Sequence, residues 1–86
     1  MIYFVHSRQS YDQLIASAAW PPSALWVSLG VLERSELEAL RIGGITVTDF
    51  NKAIDTNDAA ALANVIDTIR EHHPGQVVWV DGSSAA

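Results

Sequence analysis

The stretch that decides the fold is residues 2–6, Ile-Tyr-Phe-Val-His, a continuous run of residues that favour β-strands. A strand without polar alternation is typical of a parallel sheet whose two faces are both covered by helices. Residues 24–29, Ala-Leu-Trp-Val-Ser-Leu, repeat this pattern. The two runs therefore predict two buried strands at the centre of an α/β domain.

Two helices are predicted from their start and stop signals. The first begins at residues 10–13 (Ser-Tyr-Asp-Gln), which fit a capping box, and ends before Pro21-Pro22. The second begins with the same pattern at residues 35–38 (Ser-Glu-Leu-Glu) and ends at Gly43-Gly44. Because each helix follows one predicted strand and precedes the next, the strands they connect are expected to be parallel.

The third helix carries the strongest apolar stripe in the chain. Residues 55–58 offer an N-cap and acidic first-turn residues, and Pro74-Gly75 ends the helix. The stripe that we expect to face the core consists of Leu62, Val65, Ile66 and Ile69. On this pattern we expect Ile66→Asp to unfold the chain.

Two further strands complete a βαβαβαβ order. Residues 76–80 are apolar apart from Gln76, whereas residues 45–50 alternate and carry Thr46 and Thr48. A wetter strand favours the edge of the sheet and hence the strand order 3-2-1-4; the order 2-1-3-4 and an antiparallel third strand are the alternatives. The prediction is one α/β domain over residues 1–82, with a mostly parallel four-stranded sheet flanked by three helices, and a frayed tail over residues 83–86.

The composition excludes several classes of protein. The 86 residues carry a net charge of −5 and only five basic side chains, which disfavours nucleic-acid binding. No apolar run is long enough to span a membrane or to form a signal peptide, so no membrane association is expected. The absence of cysteine is compatible with the cytoplasm. Only 17% of residues are charged, below the ~25% of an ordinary domain, which is compatible with a surface shared with another subunit.

The predicted topology resembles half of a dinucleotide-binding fold, or a shortened flavodoxin-like domain, at the level of the fold alone. A dinucleotide site needs glycines in the first strand–helix turn, because the backbone there must approach the pyrophosphate. Residues 6–10, His-Ser-Arg-Gln-Ser, contain none. We therefore expect no nucleotide cofactor, and no motif in the chain identifies a family.

Polar residues follow the strands at the edge where ligands bind in open parallel sheets. An imidazole, a guanidinium and two carboxylates at one edge have the chemistry for binding an anion such as phosphate, or for acid–base work. The alternative is that these residues cap helices and contact solvent. The candidate ligand-binding residues are His6, Ser7, Arg8, Asp49, Asn51 and Asp81.

Neither a metal site nor a catalytic nucleophile is predicted. His72 and His73 are adjacent, so on a helix their side chains point about 100° apart, and a helix end favours an imidazolium without any metal. Ser7 and Ser83 lack the glycine pattern of a nucleophile elbow. The catalytic residues are unknown, and the sequence favours a non-enzymatic role.

Three residues are candidates for an interface with a partner protein or a second copy of the chain. Trp20 lies before two prolines and either packs on the core or meets a partner. Ala60 and Ala61 would let another backbone approach the third helix closely. The leading hypothesis is a small cytoplasmic protein-binding or regulatory module, and the alternative is a small-molecule binder or minimal enzyme.

Overall fold

The computed structural model describes residues 1–18, 20–52, 54–55, 57–80 and 83–84. Strands and helices alternate through the fourth strand, as expected. The strands are β1 (Ile2–Val5), β2 (Ala24–Val27), β3 (Val47–Asp49), β4 (Val78–Val80) and β5 (Ser83–Ser84), and the helices are α1 (Arg8–Ile15), α2 (Arg34–Ile42) and α3 (Ala59–His72).

The strand order is β3-β2-β1-β4-β5, so the predicted order 3-2-1-4 is confirmed. The strands β1 to β4 are parallel, which excludes both alternatives for the third strand. The central strands β1 and β2 are buried along their whole length, whereas β3 goes from buried Val47 to exposed Asp49. The two-residue strand β5 pairs antiparallel with β4 and was not predicted. The boundary between a domain over 1–82 and a tail over 83–86 stays a prediction.

Two apolar layers cover the two faces of the sheet. One layer joins β1, β2 and β3 to α1 and α2, and its members include Tyr3, Leu25, Tyr11 and Leu37. The other layer joins β1, β2 and β4 to α3, with Phe4 and Ile69 fully buried. A sheet with helices on both faces accounts for the uninterrupted apolar sequence of its central strands.

The buried stripe of α3 differs from the predicted one by one position. Val65 and Ile69 are buried, and Leu62 packs against the same cluster. Ile66 is only half-buried, so it is less enclosed than the predicted stripe implies. Residues 62, 65 and 69 lie on one line of the helix surface, and residue 66 lies at its margin because 3.6 residues make a turn.

The starts of α1 and α2 also differ from the predicted ones. Ser7, and not Ser10, is the N-cap of α1, and its Oγ accepts a hydrogen bond from the Ser10 amide at 3.1 Å. Glu33, and not Ser35, is the N-cap of α2, and the Glu36 carboxylate accepts a hydrogen bond from the Glu33 amide at 3.1 Å. In each case a polar residue further upstream lies three residues before another polar residue, and the helix begins at that upstream position.

Glycine ends α2 as predicted. The helix finishes at Ile42, and Gly44 follows with φ +89°, a left-handed conformation that a residue with Cβ rarely adopts. The chain then enters β3 directly, so the last turn of α2 lies beside the strand that it precedes in the sequence. This proximity positions the Arg41 side chain described below.

The tryptophans pack against other aromatic rings. Trp26 lies 5.4 Å from Phe50, and Trp79 stacks on Tyr3 at 6.2 Å between ring centroids. Among the described residues, neither the Trp26 N–H nor the Trp79 N–H has a hydrogen-bond acceptor. No helix in the described part of the chain has the length and apolar character needed to cross a membrane.

Candidate functional site

The structure uses Ser7, a candidate ligand residue, to begin α1. Its hydroxyl accepts from the Ser10 amide and lies 2.9 Å from the Ser10 hydroxyl. Because a hydroxyl that caps a helix has one acceptor position committed to the backbone, Ser7 has less capacity to bind an anion. This contact agrees with the alternative that the polar residues at the carboxyl ends of the parallel strands, here called the carboxyl edge, cap helices.

Arg8, a second candidate, joins α1 to α2. Its Nη1 donates to both oxygens of the Glu36 carboxylate, at 2.7 and 2.6 Å. Its Nε lies 3.4 Å from Asp12, and its guanidinium lies 5.3 Å from the centroid of the Tyr11 ring. Arg8 therefore contacts two carboxylates and a ring of its own chain.

Three side chains in this cluster have shifted pKa values. The hydrogen bond to Glu36 raises the pKa of Arg8. The Glu33 amide, and after it Arg8, lower the pKa of Glu36, because both donate hydrogen bonds to the charged form. Burial raises the pKa of Tyr11. The Arg8–Glu36 pair is thus fully ionised around neutral pH.

Asp49 pairs with a residue that the sequence did not connect to it. The Arg41 Nη2 lies 3.6 Å from Asp49 Oδ1, with about half of each side chain exposed. The same guanidinium donates from Nε and Nη2 to the Val47 carbonyl, at 3.3 and 3.0 Å. Arg41 therefore lies along the outer side of β3.

The remaining candidate residues are His6, Asn51 and Asp81. His6 is half-buried directly after β1, and Asn51 is exposed in the bend after β3. Asp81 lies outside the described residues. Ligand binding by the six candidates stays a prediction, while Ser7, Arg8 and Asp49 have demonstrated structural contacts.

The connection between β3 and α3 crosses the end of β2. Ser28 is buried, and its Oγ accepts a hydrogen bond from the Ile54 amide at 2.7 Å. The next residue, Leu29, donates its amide to the Lys52 carbonyl at 3.2 Å. These bonds end β2 at Val27 and turn the Leu29 side chain outward, where it is 51% exposed.

An open groove lies between this turn, α2 and the end of β3. Its volume is about 420 Å³, at the small end of the ~300–1,000 Å³ of ligand pockets. Leu32 and Leu37 are buried, and Leu29 is the exposed apolar residue beside them. We call this feature the α2–β3 groove, and its lining residues are Leu29, Gly30, Leu32, Arg34, Leu37, Arg41 and Asp49.

Of the residues that line the groove, the sequence identified only Asp49 as a candidate site residue. Leu29 was expected at the end of a buried strand, because an apolar run does not show at which residue contacts with a distant loop will end the strand. The signal that could have indicated the groove is Gly30, which has φ +85° and forces a turn directly after Leu29.

The interface candidates have contacts of their own. Trp20 is half-buried and meets the Tyr11 ring edge-on at 6.1 Å, so it packs on the core layer of α1 and α2. The amides of Ala60 and Ala61 donate to the Asp58 carboxylate that caps α3, at 3.1 and 3.2 Å. Ala60 is exposed and Ala61 is half-buried. Contact of these residues with a partner stays a prediction.

Acidic, histidine and cysteine side chains do not gather in the described ranges into any group of three or more that could hold a metal ion. His72 and His73 instead pack against Trp26, with ring centroids at 5.4 and 6.0 Å.

The described fold defines the class of this protein as an α/β domain with a mostly parallel sheet. Comparison with protein-family models, with curated proteins and with solved structures finds no significant match.

Proposed function

We propose that this chain is a small protein-binding or regulatory module whose contact surface is the α2–β3 groove. The observation that carries the proposal is the side chain of Leu29, which is 51% exposed in an open groove. Ser7 and Arg8 do not line the groove and contact other residues of the chain, and Asp49, which lines it, pairs with Arg41.

The chemistry of the groove favours an apolar side chain from a partner protein. Leu32 and Leu37 are apolar lining residues, and Leu29 adds an exposed apolar side chain beside the charged groups of Arg41 and Asp49. Burying an aliphatic side chain there would contribute at most about 1.5–3 kcal/mol, the value for complete burial. Arg34 pairs only loosely with Glu38, at 3.9 Å and with both side chains largely exposed, so it leaves the groove open at its rim.

The low charge of the chain supports the same proposal. Charged residues are 17% of the sequence, below the ~25% of an ordinary domain. The centre of a protein-binding surface is depleted of charged residues. The absence of cysteine supports a cytoplasmic location, and we propose a role without catalysis.

A displayed library of random peptides, selected against the purified chain, tests this function. Leu29→Ser removes the exposed apolar wall, and Ile15→Ser is the matched control, since Ile15 is 42% exposed but does not line the groove. Selected peptides should bind the wild type and Ile15→Ser alike and Leu29→Ser about tenfold more weakly. Equal binding to both variants, or a selection that enriches nothing, contradicts the proposal.

The alternative function, an anion-binding module at the carboxyl edge, is tested with inorganic phosphate. NMR shifts of the His6 and Ser7 amides that saturate with phosphate would favour it over the groove. We expect no saturable change, because Ser7 caps α1 and Arg8 pairs with Glu36.

A further inference from the structure

The backbone of β3 has one side paired and one side turned outward. The Thr46 carbonyl accepts from the Leu25 amide at 2.8 Å, and the Phe50 amide donates to the Val27 carbonyl at 2.9 Å. Backbone groups alternate in direction along a strand, so the N–H and C=O groups of Val47 and Asp49 point away from β2. They form the outer edge of the sheet, since β3 is its terminal strand.

Arg41 occupies this outer edge. Its Nε and Nη2 both donate to the Val47 carbonyl, and Nη2 also faces the Asp49 carboxylate at 3.6 Å. The outward carbonyl is therefore already hydrogen-bonded, and the guanidinium lies where a further strand would have to lie. Natural sheets commonly protect their edges with charged side chains, because an open edge pairs with other strands.

A second copy of the chain is the occupant that fits the edge by symmetry. Two β3 strands placed antiparallel about a two-fold axis at Thr48 bring Val47 of each copy opposite Asp49 of the other. The outward groups then form roughly four backbone hydrogen bonds. This pairing needs the Val47 carbonyl as an acceptor, and Arg41 takes that oxygen.

We propose that Arg41 protects the edge of β3 and so prevents antiparallel pairing of β3 between two copies of this chain. The guanidinium of one copy and the Asp49 amide of the other compete for the same carbonyl. Arg41 and Asp49 also line the α2–β3 groove, but the pairing of two copies uses the outward backbone groups of β3 and not the apolar side chains of the groove.

Light scattering coupled to size exclusion tests the proposal over a series of protein concentrations. Arg41→Ala should show an average mass that rises with concentration from the wild-type value toward twice that value. Arg34→Ala is the matched control, because Arg34 is on the same helix and pairs with Glu38 rather than with β3. It should behave as the wild type does.

A pair of double variants tests whether the association uses the edge of β3. Arg41→Ala with Asp49→Ala keeps the outward amide of residue 49 and should still associate. Arg41→Ala with Asp49→Pro lacks that amide and should return to the wild-type mass. Equal association of both double variants overturns the proposal, as does a folded Arg41→Ala that matches the wild type at every concentration.

Circular dichroism establishes whether each variant is folded. If Arg41→Ala unfolds, Arg41→Lys takes its place, because lysine keeps the charge but loses the contact of two nitrogens with one carbonyl. A folded Arg41→Lys should associate more than the wild type. If it has the wild-type mass at every concentration, Arg41 does not protect the edge. The groove proposal is tested with Leu29→Ser, which leaves Arg41 and the backbone of β3 unchanged, so the two proposals fail separately.

Discussion

Arg8 in α1 and Glu36 in α2 are 28 residues apart in the chain and are joined by two hydrogen bonds of 2.7 and 2.6 Å. The pair connects two helices on the same face of the sheet. Arg8, which was expected to bind a ligand, thus connects two neighbouring helices. Because Glu36 accepts these hydrogen bonds in its charged form, its ionisation is linked to the stability of the fold.

Stability should fall on acidification through Glu36. Its folded-state pKa is lowered, so its contribution is present above the ordinary glutamate pKa of about 4.3 and is lost as the pH falls through the lower folded value. We expect Glu36→Gln to be less stable than the wild type in urea at about pH 7, and we expect this difference to become smaller as the pH falls toward about 3. The pKa of Arg8 is raised by its hydrogen bond to Glu36, so the contribution of Arg8 is present at acidic and neutral pH and is lost only at strongly alkaline pH.

The control for this prediction is Glu38→Gln. Glu38 lies 3.9 Å from Arg34 with both side chains largely exposed, so its removal should change the free energy of unfolding little at either pH. A stability difference for Glu36→Gln that is the same at both pH values contradicts the prediction.

Ser28→Ala should destabilise the fold by about 1–3 kcal/mol, because the amide of buried Ile54 loses its acceptor. Urea unfolding followed by circular dichroism measures the effect. Ser35→Ala is the comparison, since Ser35 is exposed on α2 and does not cap it. Its stability should stay within about 0.5 kcal/mol of the wild type. Equal effects of the two changes would show that the Ser28 contact contributes nothing.

Ile69→Asp should abolish folding. Ile69 is fully buried in the α3 layer, and an unpaired carboxylate there costs roughly 3 kcal/mol or more. Ile66→Asp should remain folded with a smaller loss, because Ile66 is half-buried. Circular dichroism and thermal melting compare the two. A folded Ile69→Asp beside an unfolded Ile66→Asp would mean that α3 presents its other side to the sheet.

Asp58→Ala should cost about 1 kcal/mol, since the Asp58 carboxylate accepts from the Ala60 and Ala61 amides at the start of α3. Asn caps helices about as well as Asp, so Asp58→Asn should recover most of this loss. The midpoint of urea unfolding gives both values. The capping role is refuted if the Ala and Asn variants are destabilised equally.

The strand order could be predicted because few residues decide it. Continuous apolar sequence in β1 and β2 requires two covered faces, and Thr46 and Thr48 mark a strand with a wetter environment. The helix starts at Ser7 and Glu33 could not be chosen this way, because Ser10 and Ser35 offer the same spacing. Strand β5, with only Ser83 and Ser84, has no pattern to detect.

The site was harder to predict because it depends on contacts between distant residues. The edge of the sheet at which Ser7, Arg8 and Asp49 lie follows from the topology alone. That Arg8 meets Glu36, and that Arg41 meets Val47, depends on how helices pack after the chain has folded. Local sequence therefore located the polar residues but not their partners, and it placed Leu29 inside a strand that ends before it.

The tryptophans give the two layers of the protein separate optical reporters. Trp20 packs with Tyr11 in the layer of α1 and α2, whereas Trp26 lies in the α3 layer against His72 and His73. Variants that keep one of these indoles and replace the other tryptophans with phenylalanine would follow one layer at a time during unfolding. Coincident transitions from the two would establish that both sides of the sheet are lost in a single cooperative step.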